Sequence, residues 1–191
     1  HWVFDMDGTL TVAMHDFERI KRELGIPPSA DILVHLAGLP GAEAAQKHAW
    51  LLAHERGLAE GALPAPGAVE LLRALAAAGC QLGILTRNDH ALAKLTLEAI
   101  GVGDLFDDGG IIGRDEAVPK PSPDGVQQHL RRWGIGADAA VMVGDHAYDL
   151  DCGRAAGART VLVNLPENPW PGRADWHFAD CRALLAAWQA A

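Results

Sequence analysis

Short apolar runs alternate along this chain with longer stretches in which apolar residues recur every three or four positions. The runs at 2–4 (WVF), 81–86 (QLGILT), 139–144 (AAVMVG) and 160–164 (TVLVN) predict strands. The third is apolar without interruption, as expected of a strand in the middle of a parallel sheet. Val69, Leu72 and Leu75 form a stripe on a predicted helix over 68–78, and Gly79 stops it. A second helix is expected from about 89 to 100, ending at Gly101. Ser122 followed by Pro123 reads as an N-cap with proline at the first helical position, and Val126, Leu130 and Trp133 carry that helix to Gly134. Further helices are predicted near 147–156 and 180–189. The stretch 104–113 (DLFDDGGIIG) reads equally as a short strand or a loop.

This alternation predicts an α/β fold, a doubly wound (Rossmann-like) parallel sheet. Residues 14–65 interrupt it. They carry helical patterning, roughly from 15 to 62, and no strand, so they are expected to form a small inserted helical cap. The core would then comprise 1–13 and 66–191, with the loop after Leu10 and the proline-rich LPAPG at 63–67 as junctions. The 191 residues suit one core with a modest insertion, and no internal repeat or low-complexity tract is present.

Asp and Glu number 25 against 16 Lys and Arg, a net charge of -9. That balance disfavours general nucleic-acid binding and anionic membrane surfaces, both of which need cationic side chains. It leaves room for an anionic small ligand, because a local site can oppose the global sign. Cys80, Cys152 and Cys181 are odd in number and form no C-x-x-C pair, which predicts reduced thiols and a cytoplasmic setting. No apolar run reaches about 18 residues and no signal peptide is evident. His1 already adjoins the first strand, so a few native residues are expected to precede it.

In open parallel sheets ligands bind beyond the carboxyl ends of the strands. The first strand leads into Asp5 and Asp7, and the second into Thr86, Arg87, Asn88 and Asp89. The third leads into Gly144 and Asp145, with Asp149 four residues on. Lys120 stands between two prolines in PKPSP. Carboxylates gathered on one edge repel one another and hold their protons more tightly, which a divalent cation relieves. An all-oxygen set suits a hard ion such as Mg²⁺, and no His/Cys cluster has zinc spacing. The metal and Lys120 together point to an anion.

These residues resemble the motifs of the haloacid dehalogenase (HAD) superfamily of phosphohydrolases. DMDGTL at 5–10 is similar to its first motif, ILT at 84–86 to its second, Lys120 in KPSP to its third and GDHAYD at 144–149 to its fourth. CGRAAGA at 152–158 resembles the usual continuation, so the resemblance covers most of the chain in the right order. It implies that Asp5 attacks phosphorus and that Asp7 is the general acid and base. It implies Mg²⁺ held by Asp5, Asp145 and the backbone carbonyl of Asp7. Asp149 would orient metal-bound water or Lys120, while Thr86 and Lys120 hold the phosphoryl oxygens. Gly8 would permit the turn that Thr9 caps. Arg87 and Asn88 would face the substrate or the cap. Asp7 separates the chain from dehalogenases, which lack that residue. The sequence DGTLTVAMHDF departs from the D-G-T-L-x-D-S of many capped relatives.

The expected function is Mg²⁺-dependent hydrolysis of a small phosphorylated metabolite, with phosphoglycolate as one candidate. Phosphomutase chemistry of the β-phosphoglucomutase type and a non-catalytic phospho-ligand binding or signalling role remain alternatives. Oligomeric state is left open. Other readings stand beside the chemical ones. Asp149 is placed to cap a helix, and His146 reads as a loop residue. Lys47, His48, His54 and Arg56 either recognise the leaving group or lie in solvent, while Trp50, Leu51 and His54 fall on one helical face. Trp170 and Trp176 read as anchors of the tail, and Cys152 as a small core residue.

Overall fold

The computed structural model describes residues 1–14 and 16–191. Residue 15, where the predicted helical patterning begins, lies outside the described residues. Strands β1 (Trp2–Phe4), β2 (Leu82–Leu85), β3 (Ile111–Ile112), β4 (Val141–Gly144), β5 (Arg159–Leu162) and β6 (Trp176–His177) form one sheet in the order β3-β2-β1-β4-β5-β6. All neighbouring strands pair in parallel. The chain steps outward from β1 to β2 and β3, then crosses back to β4 and steps outward the other way. The junction of β1 and β4 is therefore the switch point, where an open parallel sheet leaves a crevice for ligands.

Helices α1 (Phe17–Leu24), α2 (Ile32–Ala37) and α3 (Gly41–Glu60) lie between β1 and β2 in the chain. They are followed by α4 (Ala68–Ala77), α5 (His90–Ala99), α6 (Asp124–Trp133), α7 (Ala147–Ala156) and α8 (Cys181–Gln189). Successive strand residues point to opposite faces, so each strand feeds two cores. Phe4, Ile84, Val143 and Val161 pack with Leu71, Leu72, Leu75, Leu97 and Leu184. Val3, Leu85 and Met142 pack with Val126, Leu130 and Cys152. The register matches this division, because Phe4 stands opposite both Ile84 and Val143.

The helical segment has a separate core of Ile20, Leu24, Ile26, Leu36 and Leu51. The chain enters and leaves it side by side. Val12 N–H donates to Leu63 O at 2.9 Å and Ala65 N–H to Leu10 O at 2.8 Å. From there α3 packs across to α5.

Local structure departs from the sequence pattern at a few places. The expected helical stretch divides into three helices, because Gly25 closes α1 in the left-handed conformation and Pro40 stands at the N-cap of α3. The ambiguous stretch resolves into 3₁₀ turns at Gly103–Leu105 and Asp108–Gly110 followed by β3. Helix α6 begins at Asp124 rather than Pro123. Residues 119–122 close a turn through Ser122 N–H to Pro119 O, which uses Pro123 as the cap position. Strand β6, only two residues long, gave no periodic signal, and it places Trp176 half exposed on the sheet edge.

Leu72 is fully buried and Val34 is exposed. Leu72→Ala should lower unfolding free energy by about 2–5 kcal/mol, and Val34→Ala by less than about 0.5 kcal/mol. Denaturant titration of the two variants checks this division between core and surface.

Candidate active site

The chain leaves β1 through a tight turn. The carbonyl of Met6 accepts the N–H groups of Thr9, Leu10 and Thr11 at 3.2, 2.9 and 3.0 Å. Gly8 has φ of 90°, and a Cβ there would stand 2.5 Å from Asp145 Oδ2. Glycine is required twice over, by conformation and by the approach of that carboxylate. Asn164, just past β5 with φ of 62°, donates from Nδ2 to Gly8 O and Thr9 O, both at 2.8 Å. The ends of β1, β4 and β5 are thereby fixed to one another.

Asp5 is buried, and its Oδ1 is bonded to Lys120 Nζ. Its Oδ2 lies 3.1 Å from the Thr9 hydroxyl, which also stands 2.8 Å from Asp145 Oδ1. Lys120 bridges to Asp149 Oδ1 at 2.7 Å. Burial opposes the Lys120 charge, but Asp149 and Asp5 outweigh it and hold the ammonium above its ordinary value. Asp149 has a second duty. Its Oδ2 accepts His146 N–H at 3.0 Å in a capping box at the start of α7, so the structural and chemical readings both apply. A Cβ on Gly144 would fall 2.2 Å from Asp149 Cβ, which makes glycine the residue that admits this carboxylate.

Two carboxylates thus share one lysine, and a third, Asp145, stands beside them without contacting it. Asp5, Asp145 and Asp149 each present an oxygen within 4.8 Å of the others, an arrangement that could hold a metal ion. Burial, then Asp5 and Asp149, push the Asp145 carboxyl up to about 8. Burial raises Asp149 to about 6 against the pull of Lys120. The Asp7 side chain is not part of this trio. Burial and then Asp5 raise it to about 7, opposed by Lys120 and by a hydrogen bond from Asn88.

The remaining predicted residues take distinct places. Thr86 is buried, its N–H donates to Ile112 O at 3.0 Å, and its hydroxyl oxygen accepts Asn88 N–H at 3.0 Å. Arg87 lies across the edge. It donates to Asp31 at the start of α2 at 2.5 Å and to Lys120 O at 3.4 Å, and its guanidinium sits 5.2 Å from the Tyr148 ring centre. His146 caps α7 by accepting Tyr148 N–H at 3.2 Å and meets Trp170 edge-on. Cys152 is buried and donates to Asp149 O. On α3, Lys47 pairs with Glu43 at 3.0 Å, His54 stacks on Trp50, and His48 and Arg56 are exposed.

Glu55 went unnoticed in the sequence. It lies between Leu51 and Ala59 at fourfold spacing on the buried face of α3. An acid on an apolar stripe is the signal that could have found it. Both its oxygens accept from Arg114 Nη1 at 3.0 Å, and Arg114 N–H donates to Asn88 O at 3.0 Å. Burial raises the Glu55 carboxyl despite Arg114. Glu55 lines a small cavity with Asp7, Thr11, Leu58, Asn88 and Thr96. Its volume of about 10 Å³ admits about one water.

Residues 2–157 match a family model described as haloacid dehalogenase-like hydrolase. The chain is 33% identical to a phosphoglycolate phosphatase of Rhodospirillum rubrum, over 85% of this chain and 78% of that protein. It is 31% identical to an uncharacterized hydrolase of Saccharomyces cerevisiae, over 84% and 75%. A solved hydrolase from Pseudomonas syringae superposes with a TM-score of 0.78 at 21% identity, covering 99% of this chain and 97% of that one. CbbY from Rhodobacter sphaeroides, solved with phosphate, superposes with a TM-score of 0.74 at 20% identity, covering 96% and 95%.

Asp145 holds its proton more tightly folded than unfolded, from 3.8 up to about 8. Its ionisation therefore costs stability across that window, nothing below pH of about 4 and the full amount above pH of about 8. In metal-free protein, Asp145→Asn should stabilise the fold on the order of 2 kcal/mol at pH 8.5 and far less at pH 5. Thermal melts in EDTA at the two pH values check this. An equal effect at both would contradict it.

Proposed function

The chain belongs to the haloacid dehalogenase-like hydrolase family, and we propose that it is a Mg²⁺-dependent phosphatase acting on a small phosphorylated metabolite through an aspartyl-phosphate on Asp5. One observation carries this reading. Two carboxyl groups end the same strand in unlike settings: Asp5 bonded to Lys120, Asp7 held at about 7. Carboxyl groups in settings so unlike suit a nucleophile and an acid–base partner.

The donor set fits a hard cation, being all oxygen, crowded and short of positive charge. When bound by Asp5, Asp145 and Asp149, with the backbone carbonyl of Asp7 as a further ligand, Mg²⁺ supplies charge to offset that of the phosphoryl group. The chain's own residues do the rest. A carboxylate oxygen of Asp5 attacks phosphorus as the bond to the leaving oxygen breaks. Asp7 gives that oxygen its proton, then takes one from the water that hydrolyses the acyl phosphate. Lys120 and Thr86 hold phosphoryl oxygens. Asn88 orients Asp7 through their hydrogen bond, with Arg87 beside it at the substrate-facing edge.

Residues 14–65 serve as the cap over a core of 1–13 and 66–191. The ion pairs Asp31–Arg87 and Glu55–Arg114 join the two, and the small size of the cavity beside Asp7 supports a closed state that leaves little room for water. Similarity to a phosphoglycolate phosphatase makes 2-phosphoglycolate the first compound to try.

Phosphate release from a panel of small phosphomonoesters, with Mg²⁺ and with EDTA, tests the reading. Release should need Mg²⁺, and Asp5→Asn should lower it by roughly 10³-fold or more. Undiminished release from Asp5→Asn, or in EDTA, would overturn it.

A further inference from the structure

We infer that the pocket beside Asp7 accepts a leaving group that donates hydrogen bonds and rejects one that carries a carboxylate, with Glu55 making the distinction. The inference rests on the phosphatase reading and deepens it to a substrate class.

The leaving oxygen must stand next to Asp7, the group that protonates it. The rest of the leaving group then occupies the side lined by Asp7, Thr11, Glu55, Leu58, Asn88 and Thr96. That lining offers two carboxyl groups, an amide and two hydroxyls, and among the described residues it holds no cationic side chain. Each cation around the edge already has an acid: Lys120 has Asp5 and Asp149, Arg87 has Asp31, and Arg114 has Glu55. The cap cations suggested by the sequence are elsewhere, since Lys47 pairs with Glu43 and His48 and Arg56 are exposed.

Glu55 is held in place. Both its oxygens rest on Arg114, whose backbone is tied to Asn88. A carboxylate brought into this side would face Glu55 in a poorly solvated space where the neighbouring guanidinium, that of Arg114, is already held by Glu55. A hydroxyl finds acceptors in Glu55, Asn88 and the threonines. The cavity admits about one water, so even a two-carbon leaving group must press against α3, the helix that carries Glu55.

The test uses esters that share a two-carbon skeleton: 2-hydroxyethyl phosphate and 2-phosphoglycolate, with phenyl phosphate as a control. Wild-type kcat/KM should favour the hydroxyl compound over the carboxylate by about tenfold or more, and Glu55→Gln should cut that ratio by about fivefold or more. A ratio on one preparation is independent of how much of the variant is folded. Preference for 2-phosphoglycolate, or an unchanged ratio in Glu55→Gln, would overturn the inference and leave the phosphatase reading standing. No release from any compound, phenyl phosphate included, would overturn that reading and this inference with it.

Discussion

The structure is organised around an imbalance of charge at the crevice between β1 and β4. Asp5, Asp145 and Asp149 gather there, and the single ammonium of Lys120 contacts only Asp5 and Asp149. A buried negative charge without a counter-charge is among the costlier arrangements in a protein. The surrounding backbone exists to tolerate it. Gly8 and Gly144 leave room for two of the carboxylates, the Thr9 hydroxyl lies between two of them, and the start of α7 turns the third into a cap. The excess that remains is an arrangement that could hold a metal ion.

The helical segment depends on the same edge. Its own core is small, and its charged contacts to the rest of the chain fall beside the carboxylates: Asp31 on Arg87 and Glu55 on Arg114. Both arginines follow strands on the β1 side of that crevice, β2 and β3. The position of the helical segment is thereby linked to the residues that follow Thr86. Partly buried ion pairs of this kind fix orientation more than they add stability.

Much of this was legible in the sequence, because the core chemistry lies next to strands with strong apolar signals. Asp5 and Asp145 follow such runs directly, Thr86 ends one and Asp7 lies two residues past Asp5, so strand assignment brought them to one sheet edge. Lys120 had no strand beside it and was legible only through its prolines and its resemblance to a family motif. What could not be read depends on long-range pairing. Glu55 stands out only as an acid on an apolar stripe, and its partner Arg114, 59 residues later, cannot be read from the sequence. Asn164 reads as a strand end until its amide is seen holding the turn after Asp7. Arg87 follows a motif residue, yet its charge is taken up by Asp31. Strands β3 and β6 were too short to show a period.

The most direct test of the charge account is calorimetric titration of metal-free protein with Mg²⁺ in buffers of different ionisation enthalpy. With Asp145 at about 8 and Asp7 at about 7, the edge of the metal-free protein carries protons at neutral pH. Binding at pH 7 should release roughly one proton per ion, falling toward none near pH 9.5. Binding without proton release at pH 7, or no binding, would contradict the claim that these carboxylates form a cation site.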